Sequence, residues 1–150
     1  MPDERATKTF NFVRMFVKDL SFETPMGAEV FAADWNPDHK VKLEHKSHRL
    51  SENIWEVILI ATVTANLGDK TAYMIEAHHG AIVEVTEMER EPLSRVLTID
   101  VPNIMFPYLR EAVDNVAVKG GFPPVGMSRP DFDAWFMQTT EQLALQAGKP

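Results

Sequence analysis

Two stretches of this chain read as β-strands, yet they are apolar on both faces. In Asn53 to Ala65, one face carries Trp55, Val57, Leu59, Ala61 and Val63, and the other carries Ile54, Ile58 and Ile60. Successive strand side chains point to opposite faces of a sheet. A sheet with one wet face therefore alternates apolar with polar residues. This stretch does not, so both of its faces have to be covered. Lys8 to Lys18 poses the same problem. Under strict alternation Phe10, Phe12 and Phe16 share one face, and Val13, Met15 and Val17 share the other. A chain of 150 residues supplies one domain. The simplest resolution is an internal core on one side of the sheet and an oligomer interface on the other.

The remaining elements follow from periodicity and turn chemistry. Val41, Leu43 and His45 alternate with Lys40, Lys42, Glu44 and Lys46, the pattern of a half-exposed strand. Asn66-Leu67-Gly68-Asp69 is a hairpin signal, since Gly and Asn tolerate positive φ. Thr71 to Thr86 reads as a fourth strand, with a bulge expected near Gly80. Asp19 to Pro37 reads as a long connection, rich in large apolar residues. From about Pro92 the pattern turns helical. Pro102 is placed to open a second helix, with Pro107 one turn further in. The stripe Leu109, Ala112, Val113, Val116, Ala117 follows, and Gly120 is the expected stop. Ser128-Arg129-Pro130-Asp131 has the form of a capping box before a last helix bearing Phe132, Trp135, Phe136 and Leu143. Strands first and helices after make an α+β fold with an antiparallel sheet. Residues 1–7 and 146–150 are expected to be flexible ends around a single domain over 8–145.

Composition removes several function classes. The 15 Lys and Arg against 22 Asp and Glu leave a net charge of −7, which disfavours nucleic acid as a partner. The absence of cysteine excludes disulfides, thiolate zinc sites and cysteine nucleophiles. Met1 to Thr9 carries no apolar signal region, and Val57 to Gly68 is shorter than the about 20 residues a spanning helix needs. A cytoplasmic protein without stable membrane insertion is expected.

Catalytic patterns are weak. His78 and His79 are neighbours on a strand and point to opposite faces, so they do not chelate one ion. His45 and His48, near Glu44 and Glu52, make a poor metal site. No serine sits in a Gly-flanked elbow, and Gly120-Gly121 runs into Phe122-Pro123-Pro124 rather than a phosphate loop. Glu87, Glu89 and Glu91 read as a solvated acidic run. No catalytic residue, cofactor or metal is expected, and the chain is not expected to be an enzyme. The informative surplus is nine Phe, three Trp, two Tyr and eight Met, several of them in loops. Adaptable apolar side chains at exposed positions suit a promiscuous binding surface.

Four stretches together resemble the SecB family of bacterial protein-export chaperones. They are Val17-Lys18-Asp19-Leu20-Ser21-Phe22-Glu23 with Val30-Phe31 and Trp35, then Glu56 to Ala65. Pro102-Asn103-Ile104-Met105-Phe106-Pro107-Tyr108 and Gly120-Gly121-Phe122-Pro123-Pro124 with Phe132-Asp133-Ala134-Trp135-Phe136 complete the set. The resemblance implies a four-stranded antiparallel sheet with C-terminal helices packed on it, assembled as a homotetrameric dimer of dimers. It implies an ATP-independent chaperone that holds unfolded precursor proteins and delivers them to the SecA motor. Asp19, Glu23, Met74 and Glu76 match the family's contact surface for the zinc-bearing SecA tail. Trp35 and Phe136 match its client groove, and Phe22, Val30, Phe31 and Met127 join them by loop position. Ile75 falls at the family's oligomer interface, and the two-faced strand adds Phe12, Val13 and Met15. Two rival readings are a SecB-like chaperone dedicated to one partner, such as an antitoxin, and a small-ligand α+β enzyme.

Overall fold

The computed structural model describes residues 10–138. Four strands come first: β1 (Phe10–Glu23), β2 (Asp38–Ser51), β3 (Ile54–Leu67) and β4 (Lys70–Val85). Helix α1 (Arg90–Arg95), a π-helical stretch Val96–Asp100 and helix α2 (Val101–Lys119) follow. The strands form one antiparallel sheet in the order β1-β4-β3-β2. This is the α+β arrangement expected from strands followed by helices. The flexible ends expected at 1–7 and 146–150 lie outside the described residues, as does Leu143.

Gly68, at φ +63°, turns β3 into β4 as the hairpin signal requires. Strands β1 and β2 are opposite edges of the sheet, so the chain between them has to cross the whole sheet end. It does so over residues 24–37, with a 3-10 turn at Gly27–Ala32. β1 runs through Asp19 to Glu23, and the connection is shorter than its composition suggests.

The helices cover one face. Tyr73, Ile75, Ala77, Ala81 and Val83 of β4 and Val57, Leu59, Ala61 and Val63 of β3 pack with Val101, Met105, Phe106, Leu109 and Val113 of α2. Even-numbered residues of β3 and β4 point the other way. Ile58 and Ile60 belong to that second face and to no part of the core cluster, yet they are only 7% and 5% exposed.

Strict alternation fails on β1. The register against β4 slips twice and leaves Val13 and Lys18 unpaired. A bulge adds one residue and reverses the parity beyond it. Phe10, Phe12, Met15, Val17, Leu20 and Phe22 therefore share the helix-covered face. Phe16 lies on the uncovered face, apart from Phe12, and Met15 lies with Phe12. The bulges sit on β1, whereas β4 stays in register with β3 across Gly80. That glycine has another use: the Phe16 ring lies over it, and a Cβ there would come within 2.6 Å of the ring.

Two further expectations change, and a third holds with a refinement. Pro102 does not open a separate helix, because α1, the π stretch and α2 are contiguous from Arg90 to Lys119. Pro102 has no N–H to give to Thr98, and the widened turn falls immediately before it. Gly120 is the expected stop, the C-cap at φ −78°, and its neighbour Gly121 takes the left-handed turn at φ +93°. Phe122 N–H donates to the Ala117 carbonyl and Gly121 N–H to the Val118 carbonyl, each at 3.0 Å. This is the paired-bond helix ending that favours glycine one place beyond the cap. The last helix, over 132–138, is capped by Asp131 rather than Ser128. Its Oδ1 accepts the Ala134 N–H at 3.1 Å.

Candidate functional site

The crossing connection brings distant aromatic residues to one end of the covered face. Phe22 ends β1, Phe31 and Trp35 come from the connection, Tyr73 from β4, and Phe122 from the loop after α2. Ring centroids are 4.8 Å apart for Tyr73–Phe122, 5.1 Å for Trp35–Phe122, 5.2 Å for Phe31–Phe122 and 5.9 Å for Phe22–Tyr73. Each such pair is worth about 0.5–1.5 kcal/mol beyond its buried area. The glycine pair is the platform for this cluster. A Cβ on Gly120 would collide with the Phe22 ring, and one on Gly121 would lie 3.0 Å from Phe31. Burial pushes the Tyr73 phenol up to about 12, with a smaller contribution from Asp114. Its hydroxyl is paired with His39 Nε2 at 3.0 Å.

The six groove candidates divide. Phe31 is 58% exposed, and Trp35 and Phe22 are half-buried. Val30, Met127 and Phe136 are buried and belong to the core rather than line a surface. Phe136 stands apart from the Trp35 cluster, with the Arg95 guanidinium 5.1 Å from its ring. Its helix forms a second aromatic group, in which Trp135 stacks on His45 at 5.2 Å and meets Phe132 at 5.2 Å. Sequence reasoning left Tyr73 out of the cluster. Its parity with Ile75 on the buried face was the available signal.

The uncovered face holds the acidic candidates. Glu23 pairs in register with Met74, Ser21 with Glu76 and Asp19 with His78. Asp19, Glu23, Met74 and Glu76 are all exposed and lie on one flat surface made by β1 and β4. The four residues share it because the second bulge, at Lys18, turns Asp19 to that side. His78 Nε2 is 3.4 Å from Glu76 Oε1. Further along the same face Glu56 accepts from Lys18 Nζ at 3.1 Å and meets His48 Nε2 at 3.1 Å. That carboxylate ties β3 to both sheet edges.

The interface candidates are spread out. Val13 is exposed at its bulge, while Phe12 and Met15 are half-buried against the core. Ile75 is 1% exposed within the single chain. Its side chain is enclosed by the chain's own core, and it reaches a neighbour only through what covers it. His79 is 6% exposed, lies beneath the Tyr108 ring at 6.0 Å, and has no hydrogen-bond partner on either ring nitrogen among the described residues. Burial lowers its pKa.

His45 and His48 fall on opposite faces, as do His78 and His79. Among the described residues no group of three or more His, Asp or Glu is placed to hold a metal. No described helix is long and apolar enough to cross a membrane. An open cleft lined by Arg49, Glu52, Trp55, Met88 and Leu93 lies away from both surfaces, by the turn joining β2 to β3.

An aromatic cluster with Phe31 at its surface lies on one face and a flat charged strip on the other, and both are surfaces suited to binding other chains. Comparison with known proteins gives the family. The family described as "Preprotein translocase subunit SecB" matches residues 3–143, and the chain belongs to it. It is a protein-export chaperone. The protein-export protein SecB of Nitrosococcus oceani is 41% identical over 135 residues, covering 89% of this chain and 82% of that one. The fold is similar to that of a SecB-like chaperone of Mycobacterium tuberculosis, solved in complex with a peptide from the HigA1 antitoxin. That likeness has a TM-score of 0.66 at 11% identity and covers 85% of this chain and 91% of the other.

Proposed function

We propose that the chain is an ATP-independent holdase of the cytoplasm, working as a homotetrameric dimer of dimers. It binds unfolded precursor proteins, keeps them competent for export and passes them to the zinc-bearing tail of SecA. The observation that carries this reading is the aromatic cluster, with Phe31 exposed over the Gly121–Phe122 platform. Unfolded segments bury apolar side chains there at about 25 cal/mol per Å² before ordering costs. Several weak subsites on one long client give avidity without sequence specificity. Preference for the unfolded client delays its folding by mass action. The acidic strip of Asp19, Glu23 and Glu76 supports the motor contact, since it attracts a basic peptide in a salt-dependent way.

The test is a refolding-delay assay with an unfolded precursor, with and without SecA. The chain is expected to slow refolding, and SecA to release the client. Unchanged refolding of a generic precursor, with tight binding to one protein alone, overturns the general holdase in favour of a dedicated one. Glu76→Lys is expected to weaken tail binding and leave client binding intact; loss of both shows that the strip is misassigned.

A further inference from the structure

The uncovered face carries both signs of charge, and at the end bearing Glu23 and Lys40 the acidic residues stand on β1 and β4 and the basic ones on β2. Asp19, Glu23 and Glu76 lie on β1 and β4. Across the sheet, β2 turns Lys40, Lys42 and Lys46 to the same face, all of them exposed. The register makes rows: Glu23, Met74, Thr64 and Lys40 in one, and Ser21, Glu76, Thr62 and Lys42 in the next. Lys42 is held at 2.9 Å by Glu44, which β2 turns to the same face in the row of Asp19, His78 and Ile60. Lys40 and Lys46 make no ion pair among the described residues. Between the strips, β3 contributes only Thr62 and Thr64, which are uncharged and low.

Strands lie about 4.8 Å apart, so β4 and β2 are roughly 10 Å apart and β1 and β2 roughly 14 Å. An extended peptide advances about 3.3 Å per residue. It covers the distance from one strip to the other in about three to four residues. A uniformly basic chain lying across the face is attracted at one end and repelled by Lys40 and Lys42 at the other. A chain with ordered charges is attracted at both.

We propose that the uncovered face takes a peptide laid across the strands, with its basic residues over Glu23 and Glu76 and an acidic side chain, about three to four residues away, over Lys40 and Lys42. The inference rests on the reading of the acidic strip as the motor contact and adds the charge order of the peptide it selects.

Two synthetic peptides test it at low salt. One carries a pair of lysines, a short neutral spacer and a pair of glutamates. In the other the glutamates are replaced by glutamine. Wild-type protein is expected to bind the first about fivefold more tightly, from two exposed ion pairs. Lys40→Glu with Lys42→Glu is expected to abolish or reverse that preference, while the glutamine peptide binds no more weakly than before. Equal binding of both peptides to the wild type overturns the charge order and leaves the acidic strip standing. A double variant that weakens both peptides alike does the same. Failure of either peptide to bind, or binding indifferent to Glu76→Lys, overturns the acidic strip itself and the proposal with it.

Discussion

Gly120 and Gly121 are neighbours with different physical duties. Gly121 has a backbone conformation that other residues adopt only with strain. Gly120 has an ordinary one, and its missing side chain is the space that the Phe22 ring occupies. Gly120→Ala is therefore expected to destabilise the fold by about 1–3 kcal/mol through overpacking. Phe22→Leu in the same chain should recover part of that loss, because the two changes share one contact. Denaturant midpoints of the two single variants and the double variant measure the coupling; simple additivity rejects the contact. His79 makes a separate prediction. Its folded-state pKa is depressed by burial, and it faces Val17 on β1, Leu59 on β3 and Tyr108 on α2. No charged side chain among them offsets a proton. Neutral imidazole is thus favoured by folding. The stability linked to it is full above the ordinary histidine pKa of about 6.5 and falls as pH drops below it. Melting temperature should decline from pH 7 to pH 5, and His79→Gln should flatten that decline. An identical acid limb in the variant removes His79 from the account.

At the scale of elements, β1 shows how far periodicity carries and where it stops. Its apolar surplus was readable in the sequence, but its faces were not. Two inserted residues, Val13 and Lys18, each reverse the parity, and nothing local marks either one. What settles them lies on other strands: the ring of Phe16 needs Gly80, and Lys18 reaches across β4 to Glu56. The helix ends behave likewise. Glycine and capping residues announced the boundaries, and the structure adds that Gly121 takes the left-handed turn after the Gly120 cap and that Asp131 rather than Ser128 accepts the capping N–H. Asp131→Ala is expected to cost about 1 kcal/mol. It should also loosen Trp135 from His45, with a red shift in tryptophan emission. An unshifted spectrum with unchanged stability would mean that Asp131 does not hold the helix.

For the whole molecule, the apolar character of both sheet faces is the reason to expect assembly. Ile58 and Ile60 are already shielded in the single chain, so their face needs less cover than the sequence suggested. Part of the exposed apolar area lies instead along β1 and α2, at Val13, Val17, Leu20, Ile104 and Tyr108. Native mass spectrometry is expected to find four copies of the 17.0 kDa chain, about 68 kDa. A stable monomer at micromolar concentration rejects the tetramer. Val17→Glu with Tyr108→Glu should break the assembly while each chain stays folded, as seen by circular dichroism.

The sequence by itself determined the fold class, the hairpin at Gly68 and the family, because strand and helix periods, turn residues and contiguous motifs are local properties of a chain. It also supplied the four residues of the acidic surface through a motif match. Only the tertiary structure decided that Asp19, Glu23, Met74 and Glu76 share a face, that Lys40 and Lys42 stand across from them, and that Tyr73 and Phe122 centre the aromatic cluster. The reason is physical: which face a strand residue takes depends on bulges fixed by contacts with other strands. Likewise, which aromatics meet depends on a connection that crosses the whole end of the sheet.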